Sequence, residues 1–132
     1  MATFDKILPN GVGLFDFTIY ASPRAVLAHR NWPARLVPQD DIRDAFEAEA
    51  ELAKGWLPGE AELADAPKLD DWHIVDYRGR GQGVYLRGTA AGHPTFGGAR
   101  TFIETSHLVA LDTVGHGWAR TLSRWYRLGQ QT

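Results

Sequence analysis

The chain has 132 residues, 44% of them hydrophobic and 23% charged, with no cysteine and a formal net charge of −2. That length and mix describe one globular domain able to bury a core, and the lack of cysteine excludes disulfides, thiolate metal sites and a cysteine nucleophile. No apolar run reaches the ~20 residues that span a bilayer, and the start MATFDKILPNGVGLFDF lacks a signal peptide's basic beginning and unbroken apolar middle, so the chain reads as soluble and cytoplasmic, with no membrane partner.

In chain order, VGLFDFTIYA sets Leu14, Phe15, Phe17 and Ile19 behind a glycine and predicts a strand. Ser22 caps and Pro23 opens a short helix through Ala25, Val26, Ala28 and His29, which Asn31 and Pro33 end. The main helix begins at Gln39, where Asp40 and Asp41 suit the positive end of the helix dipole. Ile42, Phe46, Ala50 and Ala53 form its apolar stripe, with Ala45, Glu49 and Leu52 beside it. Lys54 stands in the last turn, and Gly55, Pro58 and Gly59 stop the helix. Asp44, Glu47 and Glu51 lie on other faces as a solvated row. Glu60–Ala66 makes a short helical connector, limited by Pro67.

From Trp72 the signals turn to β. WHIVDYR and VYLRGTA flank a turn at Gly79–Gly83; GHPTFGG is a loop; RTFIETSHLVALD is a strand kinked at Thr105–Ser106; and Thr113–Gly117 is a hairpin loop. The stretch WARTLSRWYRLG has a weak helical stripe through Trp118, Leu122 and Trp125. The preceding hairpin loop makes it a strand that closes the sheet. Strand alternation puts Trp118, Arg120, Leu122, Arg124, Tyr126 and Leu128 on one face, with the two arginines at a sheet edge or paired with Glu104 and Asp112. The opposite face leaves Trp125 and Arg127 as the outward pair.

The fold class expected is α+β: one main helix packed on a small antiparallel sheet or partly closed barrel. The chain is a single domain, 1–132, divided into an N-terminal extension with a strand (1–38), a helical part (39–70) and a β part (71–132).

Four pieces, GWLPGEAELADAPKLDDW, GHPTF, ETSHLVALD and GWARTLSRWYRLG, resemble in order and spacing an uncharacterised family of short proteins from proteobacteria and their phages. The resemblance spans about residues 45–129. It implies a helix followed by a compact β part and a phage or prophage origin, and it brings no catalytic residues.

No catalytic constellation stands out. The five histidines, His29, His73, His93, His107 and His116, lack zincin spacing, although His93, His107 and His116 would meet if two loops share one end of the sheet. Ser106 and His107 are adjacent, so on a strand they point to opposite faces, and no Gly-x-Ser-x-Gly elbow is present. The glycine-rich loops lack the Gly-Lys-Ser/Thr ending of a phosphate loop. No cofactor and no metal is expected.

Charge is uneven. Residues 1–70 carry 7 basic and 12 acidic groups, and residues 71–132 carry 7 arginines against 4 acids. Arginine, tryptophan and tyrosine dominate protein–protein hot spots and also grip single-stranded nucleic acid. The expected binding residues are Arg78, Arg80, Arg120, Arg124, Trp125 and Arg127. The expected function is non-enzymatic binding of a protein partner, as a phage-encoded modulator or inhibitor of a host system, with nucleic acid as the alternative.

Overall fold

The computed structural model describes residues 3–21, 38–96 and 98–132. The short helix expected after Ser22 lies outside the described residues. The strands are β1 (Lys6–Ile7), β2 (Val12–Leu14), β3 (Lys68–Asp76), β4 (Val84–Ala91), β5 (Thr101–Glu104), β6 (Leu108–Asp112), β7 (Trp118–Thr121) and β8 (Trp125–Leu128). The helices are α1 (Gln39–Ala53) and the single turn α2 (Glu60–Leu63).

All eight strands join one sheet in the order β1-β2-β6-β7-β8-β3-β4-β5. Every pairing is antiparallel except β3 with β8, where Lys68 lies beside Arg127 and Leu69 beside Leu128. This corrects the expected α+β fold of a helix on a small antiparallel sheet or partly closed barrel. Among the described residues the protein is mostly β, with an open, mixed, eight-stranded sheet and one substantial helix. The physical reason lies at both ends of the chain. The N-terminal segment supplies β1 and β2, which extend the sheet beyond β6. WARTLSRWYRLG contributes two strands, and the second of them pairs in parallel with β3.

The sheet is buried on both faces along β6, β7 and the start of β4, whereas β1 and much of β5 are exposed. On one side α1 covers it, and Ile42, Ala45 and Leu52 join Val12, Phe17, Val109, Ala110, Trp118 and Leu122 in one core. The buried helix positions are Ile42, Ala45 and Leu52, with Phe46 half-buried; Ala50 and Ala53, expected in the stripe, are exposed. On the other side the sheet curls over itself. Leu69, Trp72, Val84, Leu86, Ile103, Leu108 and Tyr126 form a second core. Within it the Trp72 indole donates to Gly129 O at 3.1 Å, and the Leu86 N–H donates to the Thr105 hydroxyl at 3.0 Å. Burial on both faces explains why β4 runs Val84–Tyr85–Leu86 without polar alternation.

The hairpin loop Thr113–Gly117 is held by the Asp112 carboxylate, which accepts the N–H groups of Val114, Gly115 and Gly117. The kink expected at Thr105–Ser106 is the break between β5 and β6.

Candidate functional site

The closing strand of the sequence reading is a hairpin. β7 and β8 pair antiparallel, with Trp118 opposite Arg127, Ala119 opposite Tyr126 and Arg120 opposite Trp125. The turn between them contains no glycine, proline or asparagine. Thr121, fully buried, builds it instead. Its hydroxyl donates to Arg124 O at 3.2 Å and accepts the N–H groups of Ser123 and Arg124, each at 3.3 Å.

Folding this stretch back on itself reverses the expected faces. Trp125 does not point outward. It is half-buried among the helix-side residues, 5.6 Å from Trp118 and 5.9 Å from Trp56 between ring centroids. The Arg120 guanidinium lies over the Trp125 ring at 5.3 Å. Neither Glu104 nor Asp112 pairs with Arg120 or Arg124: Glu104 binds Arg87 at 3.3 Å, and Asp112 is occupied by its loop.

The parallel β3–β8 pairing draws the connector before β3 alongside this hairpin. Arg127 donates from its backbone N–H to Pro67 O and from Nε to Ala66 O, both at 2.9 Å. The connector sets Glu62 and Asp65 beside the hairpin, and α1 brings Asp44. Together with Arg120, Ser123, Arg124, Trp125, Ala66 and Pro67 they line an open cleft of about 260 Å3.

The charges are layered. Arg120 is only 7% exposed and Arg124 is half-buried, whereas Asp44, Glu62 and Asp65 are exposed. Arginines therefore form the floor and carboxylates the rim. Among the described residues, neither arginine has a carboxylate within 4.0 Å, and none of the three rim acids is ion-paired. The Arg120 side chain makes one hydrogen bond, from Nε to Thr121 O at 3.0 Å, although a guanidinium carries five N–H donors. Arg124 Nε is buried without an acceptor. Burial pushes the Arg120 guanidinium below its ordinary value; Asp44 and Asp41 act against this and Arg124 adds to it. It stays protonated all the same, so the cleft holds one buried and one half-buried cation with spare donors.

Arg124 also borders a smaller recess with His93, Ser106, Ser123 and Tyr126, where the two serine hydroxyls lie 3.0 Å apart. Burial first, and Arg124 second, holds the His93 imidazole below its usual range. Burial pushes the Tyr126 hydroxyl up to about 12, against the pull of Arg124.

Of the six expected binding residues, the fold unites Arg120, Arg124 and Trp125 in the cleft. Arg127 faces a neighbouring groove with Pro58, Leu63 and Gly117. Arg78 and Arg80 lie at the β3–β4 turn, at the opposite end of β3 from its pairing with β8. Arg78 is held by Asp76 at 2.8 Å, by Asp5 at 3.4 Å and by Thr3 O. Arg80 is exposed, beside the Tyr77 ring. The histidines scatter: His107 contacts Tyr20 and Tyr85, His116 contacts Trp72, and His93 contacts Tyr126. Sequence reasoning missed Asp44, Glu62 and Asp65: the parallel strand pairing brings the connector with Glu62 and Asp65 to the arginines, and the packing of α1 brings Asp44.

The chain belongs to the DUF6634 family, a family of unknown function. The family model matches residues 36–132, from α1 to β8. All the cleft residues therefore lie within the DUF6634 region, whereas β1 and β2 precede it. Neither a curated protein nor a solved structure matches the chain. No helix among the described residues is long and apolar enough to cross a membrane.

Proposed function

We propose that the protein is a non-enzymatic binding protein that engages a protein partner through the Arg120–Arg124–Trp125 cleft. The observation that carries this reading is the buried Arg120 beside the half-buried Arg124, both with spare donors and, among the described residues, no carboxylate within 4.0 Å. Guanidinium groups in that state gain most from an incoming carboxylate, because the desolvation cost is already met. Arginine beside tryptophan is also the pairing that dominates protein hot spots. At about 260 Å3 the cleft falls below the roughly 300–1,000 Å3 of drug-sized ligand sites. It suits side chains projecting from a partner's surface. A cytoplasmic setting and a phage-encoded, host-directed role both fit such a binder and form part of the proposal.

Nucleic acid has less support. Three carboxylates rim the cleft and would repel phosphates, Arg78 and Arg87 are ion-paired, and Trp72, Tyr85, Trp118 and Tyr126 are buried rather than offered for stacking.

The test is affinity capture with two charge reversals. Arg124→Glu removes a partner that the parent protein retains, whereas Arg80→Glu at the far turn retains it. Equal retention by both variants, or loss with Arg80→Glu alone, places the interface elsewhere.

A further inference from the structure

The cleft has an order of charge as well as a sign. A partner carrying only acidic groups would satisfy Arg120 and Arg124 but would pass Asp44, Glu62 and Asp65 on the way in. A partner carrying only basic groups would satisfy the rim and leave the arginine floor uncovered. We propose that the cleft recognises a mixed-charge pair on the partner, with a carboxylate seated on Arg120 and Arg124 and a lysine or arginine head held at the rim by Asp44, Glu62 and Asp65. This rests on the reading that the cleft is the binding surface.

Three observations carry the inference. First, the two layers differ in depth: Arg120 is buried, and the three acids are exposed. Second, the layers do not neutralise each other by contact, since no ion pair joins any of the five residues. Arg120 lies on the central strand β7, clamped by Thr121 O and the Trp125 ring, so it cannot swing out to the rim. Third, they are near enough to share one ligand, because all five line the same cleft. Complementary placement of both signs rejects partners of a single sign, since each would leave like charges juxtaposed. Trp125 adds an apolar wall for the aliphatic stem of the basic side chain.

Isothermal titration at low salt with three short capped peptides tests this: alternating Glu and Lys, Glu alone, and Lys alone. Tryptophan fluorescence, to which Trp125 is one of five contributors, gives a second readout when the parent is compared with Trp125→Phe. The alternating peptide is expected to bind about tenfold or more tightly than either single-sign peptide, a difference of about 1.4 kcal/mol. The double variant Glu62→Gln with Asp65→Asn, both exposed positions, is expected to weaken the alternating peptide and strengthen the Glu-only one. Equal binding of the Glu-only and alternating peptides overturns the mixed-charge preference while leaving the cleft as a carboxylate-docking surface. Binding that survives Arg124→Glu overturns both. Absence of binding by all three peptides overturns the mixed-charge inference.

Discussion

Arg120 and Trp125 face each other across the β7–β8 hairpin, with the guanidinium 5.3 Å above the indole ring and no carboxylate in contact. A cation buried this far without an ion pair is a poor contributor to stability. The stack on Trp125 and the bond to Thr121 O offset only part of the desolvation.

Arg120→Met therefore separates folding from binding. Methionine fills similar volume and needs no hydrogen bonds, so the variant is expected to match or exceed the parent's stability, by about 1 kcal/mol at most. Partner binding should fall with it. Urea midpoints and the capture assay check the two halves. A clear loss of stability would mean that the cation itself holds the hairpin.

The Thr121 hydroxyl makes three bonds within the turn, which Ser106 Oγ and His107 O brace from outside through the N–H groups of Ser123 and Leu122. Thr121→Val keeps the shape and deletes all three, at a cost of about 1–3 kcal/mol. Thr121→Ser should recover most of it. A thermal shift confined to Val, and absent in Ser, identifies the hydroxyl as the cause.

The same turn shows where the sequence stopped being legible. Turns are found through glycine, proline, asparagine and aspartate or through clusters of serine and threonine, and LSR offers only the single Ser123. Read straight through, WARTLSRWYRLG becomes one strand, and every residue after Leu122 changes face. Trp125 then points outward, when in fact it packs on Trp118 and Trp56. Helix α1, by contrast, was readable because its acidic start, apolar period and Gly55 stop agree. Only its buried face shifted, toward Ala45 and Leu52. The rim acids were beyond reach for another reason. Glu62 and Asp65 meet the arginines through the pairing of Lys68 with Arg127, a contact 59 positions apart (127 − 68), and Asp44 through the packing of α1; no local pattern encodes a parallel register or a helix docking.

Gly88 sits in the middle of β4 opposite Ile103. A Cβ there would lie 2.8 Å from Asp70 O and 2.9 Å from Leu69 Cγ. Neither can retreat: Asp70 O belongs to backbone at the β3 irregularity, and Leu69 is fully buried. Gly88→Ala is expected to cost about 1–3 kcal/mol by overpacking. Gly79→Ala, where a Cβ meets nothing within 4 Å, should be nearly neutral. Paired urea denaturation curves compare the two.

His93 links the cleft region to pH. It is 6% exposed, and its Nδ1 accepts the Thr95 N–H at 3.1 Å, a bond that only the neutral ring can accept. Burial, and then Arg124, holds its folded value below the ordinary 6.5. The unfolded chain therefore takes up a proton first as pH falls. In that window stability rises with pH, because the unfolded state binds more protons. The His93 contribution is complete above the unfolded value and is lost as pH drops toward the folded one. His93→Gln keeps an acceptor for Thr95 and does not titrate. The urea midpoint of the parent should drop as pH falls through the ordinary 6.5 and below it, and that of the variant should drop less. Parallel profiles would show that His93 is not the group being protonated.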